Sequence, residues 1–239
     1  MSSHKIKFED IVLFENENYV VVNKPAFIAT LEDRNEPVNL LQLARQYYPD
    51  AQVCHRLDKE TSGALAIARN PEAYRHLSIQ FEKREVVKRY HAVADGLHQF
   101  SDFLVDAPIL KQDDGTVRIS KSEGKPAQTW FSALKSFRMH TLIECKPVTG
   151  RMHQIRIHLA ISGAPIMGDT QYGGKLFYLS QVKRGFNLKK GTEEEPFMKR
   201  MALHAFSLLF QDLDGTAIEV EAPYQKDMTA LIKQLEANK

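Results

Sequence analysis

Cys54 to Gly63 reads Cys-His-Arg-Leu-Asp-Lys-Glu-Thr-Ser-Gly, the densest polar run in the chain, and the apolar stretch Ala64 to Ala68 follows directly. Polar loops at strand ends are where binding and catalytic groups concentrate. Asp58 stands between Arg56 and Lys59, a cationic neighbourhood that keeps a carboxylate ionised and available as nucleophile or base. The same loop has a plainer reading, an Asx-type turn in which Asp58 and the Thr61 and Ser62 hydroxyls bind backbone amides; for the loop alone this is the more frequent case. Asp58 and Glu60 also lie two apart, and a pair of carboxylates is what a glycoside or nucleoside hydrolase uses. His55, His91, His153 and His158 invite a metal reading, but His153 and His158 are five apart with no carboxylate between them. The expectation is no metal.

The elements that must hold this loop can be read from periodicity. Tyr19 to Val22 is β-branched and ends at Lys24-Pro25, so a strand stops there. Leu40, Leu43, Ala44 and Tyr47 predict a helix over 39–48. Ala64 to Ala68 reads as a strand, and Ala73, Leu77 and Phe81 as a helix that Asn70 caps. Short strands are expected at 86–96, 105–110, 117–120, 127–134 and 141–145. A helix follows over 151–161, with Thr149 as its cap and Gly163 and Pro165 as its stop. Strands at 203–210 and 216–221 are joined through Asp214-Gly215, and a terminal helix over 224–237 turns Met228, Leu231, Ile232 and Leu235 inward. Helices interrupt the strands without alternating regularly, which predicts an α+β fold with a mostly antiparallel sheet flanked by helices, not a doubly wound one.

Composition sets the class. The 239 residues, 43% hydrophobic and 26% charged, can bury a core without disulfides and are not those of a disordered chain. Cys54 and Cys145 belong to no metal-binding spacing, and no GxGxxG or GxxxxGK[ST] occurs. No apolar run is long enough for a membrane span, and the charged start MSSHKIKFED is unlike a signal peptide; the expectation is a cytoplasmic protein. The net charge of +2 is too small to argue for nucleic acid by itself. Local asymmetry exists at 174–200, where seven Lys and Arg face three Glu, a net +4. It reads as a solvated basic insertion loop, with a phosphate-contacting lid as the functional reading.

His55 to Gly63, HRLDKETSG, resembles the HRLDxxTSG signature of the RluA family of pseudouridine synthases. The resemblance continues in order through Asn23-Lys24-Pro25, Lys88-Arg89-Tyr90, 124–129, 150–156, 168–173 and Leu203-His204-Ala205. It covers essentially the whole chain, read as a single catalytic domain over 1–239. One departure stands out: relatives usually follow Lys-Pro with a residue and then glycine, whereas this chain has Ala26-Phe27, so the turn is expected to differ and Phe27 to contact something else. About ten residues precede the first strand, leaving no room for the S4 RNA-binding domain of many relatives, so recognition is expected to fall to the catalytic domain, as a monomer.

The resemblance implies isomerisation of uridine in ribosomal or transfer RNA, with no cofactor because nothing is added or removed. It implies that Asp58 is the essential aspartate, that Arg156 is the cation paired with it, and that Tyr90 is the base or stacking partner of uracil. Arg56 matches the residue that fills the space left by the flipped base. Lys83, Arg84, Lys88 and Arg89 form a basic cluster beside Tyr90, from which Lys88 is taken first as an RNA contact, and Arg151 joins it. The rival expectations are an inactive RNA-binding or ribosome-assembly factor, and the hydrolase.

Overall fold

The computed structural model describes residues 6–32, 38–189 and 191–238; Lys190 and the first five residues, used above, lie outside them. In chain order the elements are β1 (Val12–Glu15), β2 (Tyr19–Lys24), α1 (Leu40–Arg45), β3 (Gln52–Val53), β4 (Ser62–Ala68), α2 (Pro71–Lys83) and β5 (Val87–Asp95). There follow β6 (Phe103–Asp106), β7 (Ile109–Lys111), β8 (Val117–Ile119), β9 (Gln128–Ser136) and β10 (His140–Pro147). The chain ends with α3 (Gln154–Ile161), β11 (Leu203–Gln211), β12 (Ala217–Glu221) and α4 (Lys226–Ala237). The fold is α+β with a mostly antiparallel sheet, as the irregular order of elements implied. No helix among the described residues is long and apolar enough to cross a membrane.

Two compact units divide the chain, 1–88 with 205–223, and 89–204 with 224–239. In the first, the strands run in the order β1-β2-β4-β11, with β3 on β4 and β12 on β11. Every residue of β2 and β4 is buried, which is why these strands read as continuous apolar runs instead of alternating ones. Ala64, Ala66 and Ala68 of β4 pack with Tyr19 and Val21 of β2 against Ala73 and Leu77 of α2. The small alanines let the helix lie close, and each fully buried leucine contributes about 1.5–3 kcal/mol. Helix α2 begins where expected: Asn70 accepts from the Ala73 amide at 2.9 Å, Pro71 needs no partner for its nitrogen, and Lys83 sits in the last turn. Helix α1 starts where periodicity places it, with Asn39 and Gln42 closing a capping box, and is shorter than expected because the chain turns after Arg45.

In the second unit the strand order is β5-β10-β9-β6, all neighbours antiparallel, with β7-β8 as a separate hairpin. The strand expected over 105–110 is two, β6 and β7. Its core gathers Ala92 and Ala94 of β5, Ile143 and Cys145 of β10, Ile155 and Leu159 of α3, and Met228, Leu231 and Leu235 of α4. Helix α3 starts three residues later than periodicity predicted, and Thr149 does not cap it. His153 takes φ +51 and no side chain caps the helix; instead Gln154 Oε1 accepts from the Arg151 amide at 3.0 Å and from the Thr149 hydroxyl at 2.7 Å. The Gln154 amide nitrogen donates to the Gln128 carbonyl and the Thr129 hydroxyl, both at 2.9 Å, tying the helix start to β9.

The basic stretch 174–200 is irregular but anchored. Phe177, Val182 and Met198 are buried in this unit's core, and Arg200 lies buried with a two-pronged pair to Asp227, at 2.7 and 2.9 Å. Arg200 is therefore a structural cation, not part of a solvated loop.

Candidate active site

The loop between β3 and β4 is held from several directions by groups of its own unit. His55 Nε2 accepts from the Ala66 amide at 3.1 Å, and its ring stacks on Phe81 of α2 with centroids 4.7 Å apart. The accepting role fixes the proton on Nδ1, and burial, with Lys88 adding like charge, pushes the imidazole down to about 3, so it stays neutral. Leu57 is buried, its amide donating to Thr30 Oγ1 at 3.3 Å and its carbonyl accepting from the same hydroxyl at 3.1 Å. Thr61 N donates to the Asp58 carbonyl at 3.0 Å, closing the turn.

Lys24, which as sequence reads as a strand terminator, is the buried centre of this arrangement. It is fully buried at the end of β2, and its Nζ donates to the carbonyls of Ile28 at 2.9 Å, Pro25 at 3.0 Å and Lys59 at 3.2 Å. A buried ammonium is tolerable only with such a set of acceptors, and here two come from the segment after β2 and one, Lys59, from the loop that carries Asp58. Lys24 faces Gly63 across the β2-β4 ladder. Gly63 has φ +116, and a Cβ there would stand 2.1 Å from the Ala205 carbonyl oxygen of β11, so the glycine is set by the close approach of a neighbouring strand. Asp58 emerges half-buried from this frame, with Arg56, Lys59 and Glu60 exposed around it.

Phe27 stands where relatives carry glycine, and its backbone holds a conformation that glycine adopts freely. It takes φ +66, the left-handed region that costs a side-chain-bearing residue about 1–2 kcal/mol, and its amide donates to the Lys59 carbonyl at 2.8 Å. The residue is 51% exposed. Lys88, in the same unit, is half-buried, and burial together with the like charge of Arg84 lowers its ammonium to about 8.

Tyr90, Arg151 and Arg156 belong to the second unit. Tyr90 is half-buried on β5, opposite Cys145 of β10, with its ring against the core. Arg151 donates from Nε to the Pro126 carbonyl at 3.2 Å. Arg156, buried in the first turn of α3, makes a fork to Asp169, both bonds 2.7 Å, donates to Gln171 Oε1 at 2.8 Å and lies 4.8 Å over the Tyr172 ring. Asp169 is itself buried. Gly174 shapes its loop, since a Cβ there would meet the Ile166 carbonyl oxygen at 1.8 Å. No local pattern announces the pairing of Arg156 with Asp169, although Asp169 lies within the segment 168–173 that carries part of the resemblance. His153 Nδ1 is 2.8 Å from the Tyr172 hydroxyl, and His158 bridges Thr129 Oγ1 and the Ala107 carbonyl, both at 2.9 Å. His91 Nδ1 meets the Tyr224 hydroxyl at 2.5 Å.

The fold is one seen before. The solved structure of human RNA pseudouridylate synthase domain containing 4 superposes with a TM-score of 0.72 over 96% of this chain and 94% of that one, at 24% identity. Human RNA pseudouridylate synthase domain containing 1 gives 0.68 over 99% and 98%, at 26% identity. The sequence model described as RNA pseudouridylate synthase matches residues 18–161. Ribosomal large subunit pseudouridine synthase C of Pasteurella multocida is 34% identical over 241 residues, covering 98% of this chain and 70% of the relative. The Escherichia coli protein of the same name is 32% identical over 234 residues, covering 95% and 70%. The chain belongs to the RNA pseudouridylate synthase family, in its RluA branch. It is an isomerase that converts uridine in RNA to pseudouridine.

Proposed function

We propose that the chain modifies uridine in the RNA of the large ribosomal subunit, with Asp58 as the group that acts on the ribose. What carries this reading is the loop around Asp58, whose backbone is pinned by Lys24, Thr30 and His55 while the carboxylate-bearing residue stays half-exposed between two exposed cations. A carboxylate so positioned needs little reorganisation to meet a reacting carbon. The relatives named for large-subunit RNA supply the substrate class.

In the proposed reaction the bond from ribose C1′ to uracil N1 breaks, the base turns, and C5 bonds to C1′. Asp58 supports the first step by attacking C1′ or by taking the C2′ proton to form a glycal; both use the same ionised carboxylate. The hydrogen left on C5 must then leave as a proton, and Tyr90 is assigned to receive it or to hold the ring by stacking. Arg156, a guanidinium kept in one orientation by Asp169, supplies the positive charge. Arg56 fills the stack that the flipped uridine leaves, and Lys88 and Arg151 contact the RNA backbone. Residues 1–239 are taken as one catalytic domain, working as a monomer in the cytoplasm without cofactor or metal.

Carbodiimide mapping of pseudouridine across total RNA, from cells with and without the gene, tests this. The expected result is a large-subunit uridine that loses its modification with the gene and regains it with wild type but not with Asp58→Asn, which still binds RNA. Restoration by Asp58→Asn would refute the role of the carboxylate, and release of free uracil would favour the hydrolase. Glu60→Gln is expected to keep activity.

A further inference from the structure

Four residues other than glycine hold positive φ among those described: Phe27, Arg84, Asp102 and His153. Three have a visible use at the bend. Arg84 ends α2, with its amide on the Gln80 and Phe81 carbonyls; Asp102 Oδ1 accepts from the Ser132 hydroxyl at 3.1 Å; His153 precedes α3 and meets Tyr172. Phe27 is the bulky, apolar one, the residue type that adopts this conformation least readily. The hydrogen bond its backbone N–H donates to the Lys59 carbonyl accounts for the backbone, yet glycine would make that hydrogen bond without strain. The residue is 51% exposed and belongs to neither of the cores described above. An observed outlier of this kind points to a use in function.

The position says which use. Through Lys59, the Phe27 backbone is one hydrogen bond from the residue that follows Asp58, and Lys24 donates to the same carbonyl. RNA that brings a uridine to Asp58 must open its stack there, and while Arg56 fills the gap itself, a flanking nucleotide drawn out of the stack with the uridine has an uncovered face. An exposed phenyl on a backbone fixed to Lys59 can cover such a face, and stacking of this kind accepts any base. We propose that Phe27 is a stacking platform for a nucleotide flanking the target uridine. This rests on the reading of Asp58 as the group that acts on uridine.

Binding of a fluorescein-labelled 12-nucleotide oligouridylate, and of an abasic strand of the same length, tests the platform by anisotropy on the whole chain. Phe27→Leu and Phe27→Trp keep the backbone strain and differ in whether a π face is present; Phe27→Gly removes both strain and ring. Wild type and Phe27→Trp are expected to bind oligouridylate alike. Phe27→Leu and Phe27→Gly are expected to weaken it by about five- to 150-fold, the range for one stacked base, with the abasic strand bound within about two-fold by all four. The KM for pseudouridine formation should rise with kcat held. The thermal midpoint of Phe27→Gly should equal or exceed wild type, which keeps misfolding out of the reading. Equal oligouridylate affinity for Leu and Trp variants, or equal losses on the abasic strand, would overturn the platform while wild-type activity leaves Asp58 untouched. A wild type that modifies no uridine would overturn the reading beneath it as well.

Discussion

His55 offers a direct measurement of how the loop carrying Asp58 is held. Its ring accepts the Ala66 amide and lies on Phe81, so protonation removes the acceptor and puts a charge in a buried place. In the unfolded chain the group titrates near 6.5, and in the folded chain burial holds it to about 3. Between these values the unfolded state binds the extra proton, so stability is complete above the unfolded value and falls as the pH falls. From about pH 7 to about pH 5 the loss from this one imidazole is about 2 kcal/mol. Carboxylates held low, such as Asp227 beside Arg200, begin from 3.8 and titrate below that window. His91, lowered to about 4 chiefly by burial, adds a similar loss, which is common to wild type and to a His55 variant. Glutamine at position 55 can accept the Ala66 amide without titrating. Urea unfolding followed by far-UV circular dichroism at the two pH values should therefore show His55→Gln losing about 2 kcal/mol less than wild type on acidification. An identical loss in both proteins would mean that the imidazole is not buried neutral, and the account of the loop anchor would fail.

Two further substitutions test the buried cations. Lys24→Met leaves the carbonyls of Pro25, Ile28 and Lys59 without their shared donor; a loss of about 3 kcal/mol or more is expected, with kcat reduced more than RNA affinity, read by urea unfolding and pseudouridine formation. Stability equal to wild type would show that the lysine is replaceable packing. Asp169→Asn leaves the buried Arg156 with half of its fork and should cost about 3–5 kcal/mol, measured as a lowered unfolding midpoint; an unchanged midpoint would remove Asp169 as the partner that orients the guanidinium.

Local chemistry was legible and long-range pairing was not. The capped helix α2 could be read because Asn70, Pro71, Ala73 and Leu77 carry their signal within a few residues. The loop at Asp58 stood out because polar density beside an apolar strand is itself local. Periodicity places the start of α3 too early because the apolar spacing from Ile155 onward cannot reveal that His153 adopts φ +51 or that Gln154 reaches back to β9. The anchoring of 174–200 was missed because Phe177, Val182 and Met198 follow no helix or strand period. Nor does any composition shift mark a chain that leaves its first unit at Lys88 and re-enters it at Ala205. Gly63 read as part of a motif; its physical reason, the Ala205 carbonyl, lies far along the chain.

The cations show most clearly why partners decide roles. Read as sequence, Lys24 ends a strand, Arg156 is by resemblance the cation paired with Asp58, and Arg200 belongs to a solvated basic loop. In the fold all three are buried, and each is neutralised or solvated by a group that no local pattern announces: the Lys59 carbonyl 35 residues from Lys24, Asp169 13 residues from Arg156, and Asp227 27 residues from Arg200. A buried cation with satisfied partners contributes rigidity at the point where its partners meet, and has little left to give a polyanion. Arg56, exposed in the Asp58 loop, is of the opposite kind, since a solvated guanidinium can stack or bind phosphate at small desolvation cost. Burial therefore sets Arg200 among the cations that hold the fold, not among those a basic loop offers to phosphate, and it gives Lys24 three carbonyl partners that its place at a strand end does not announce.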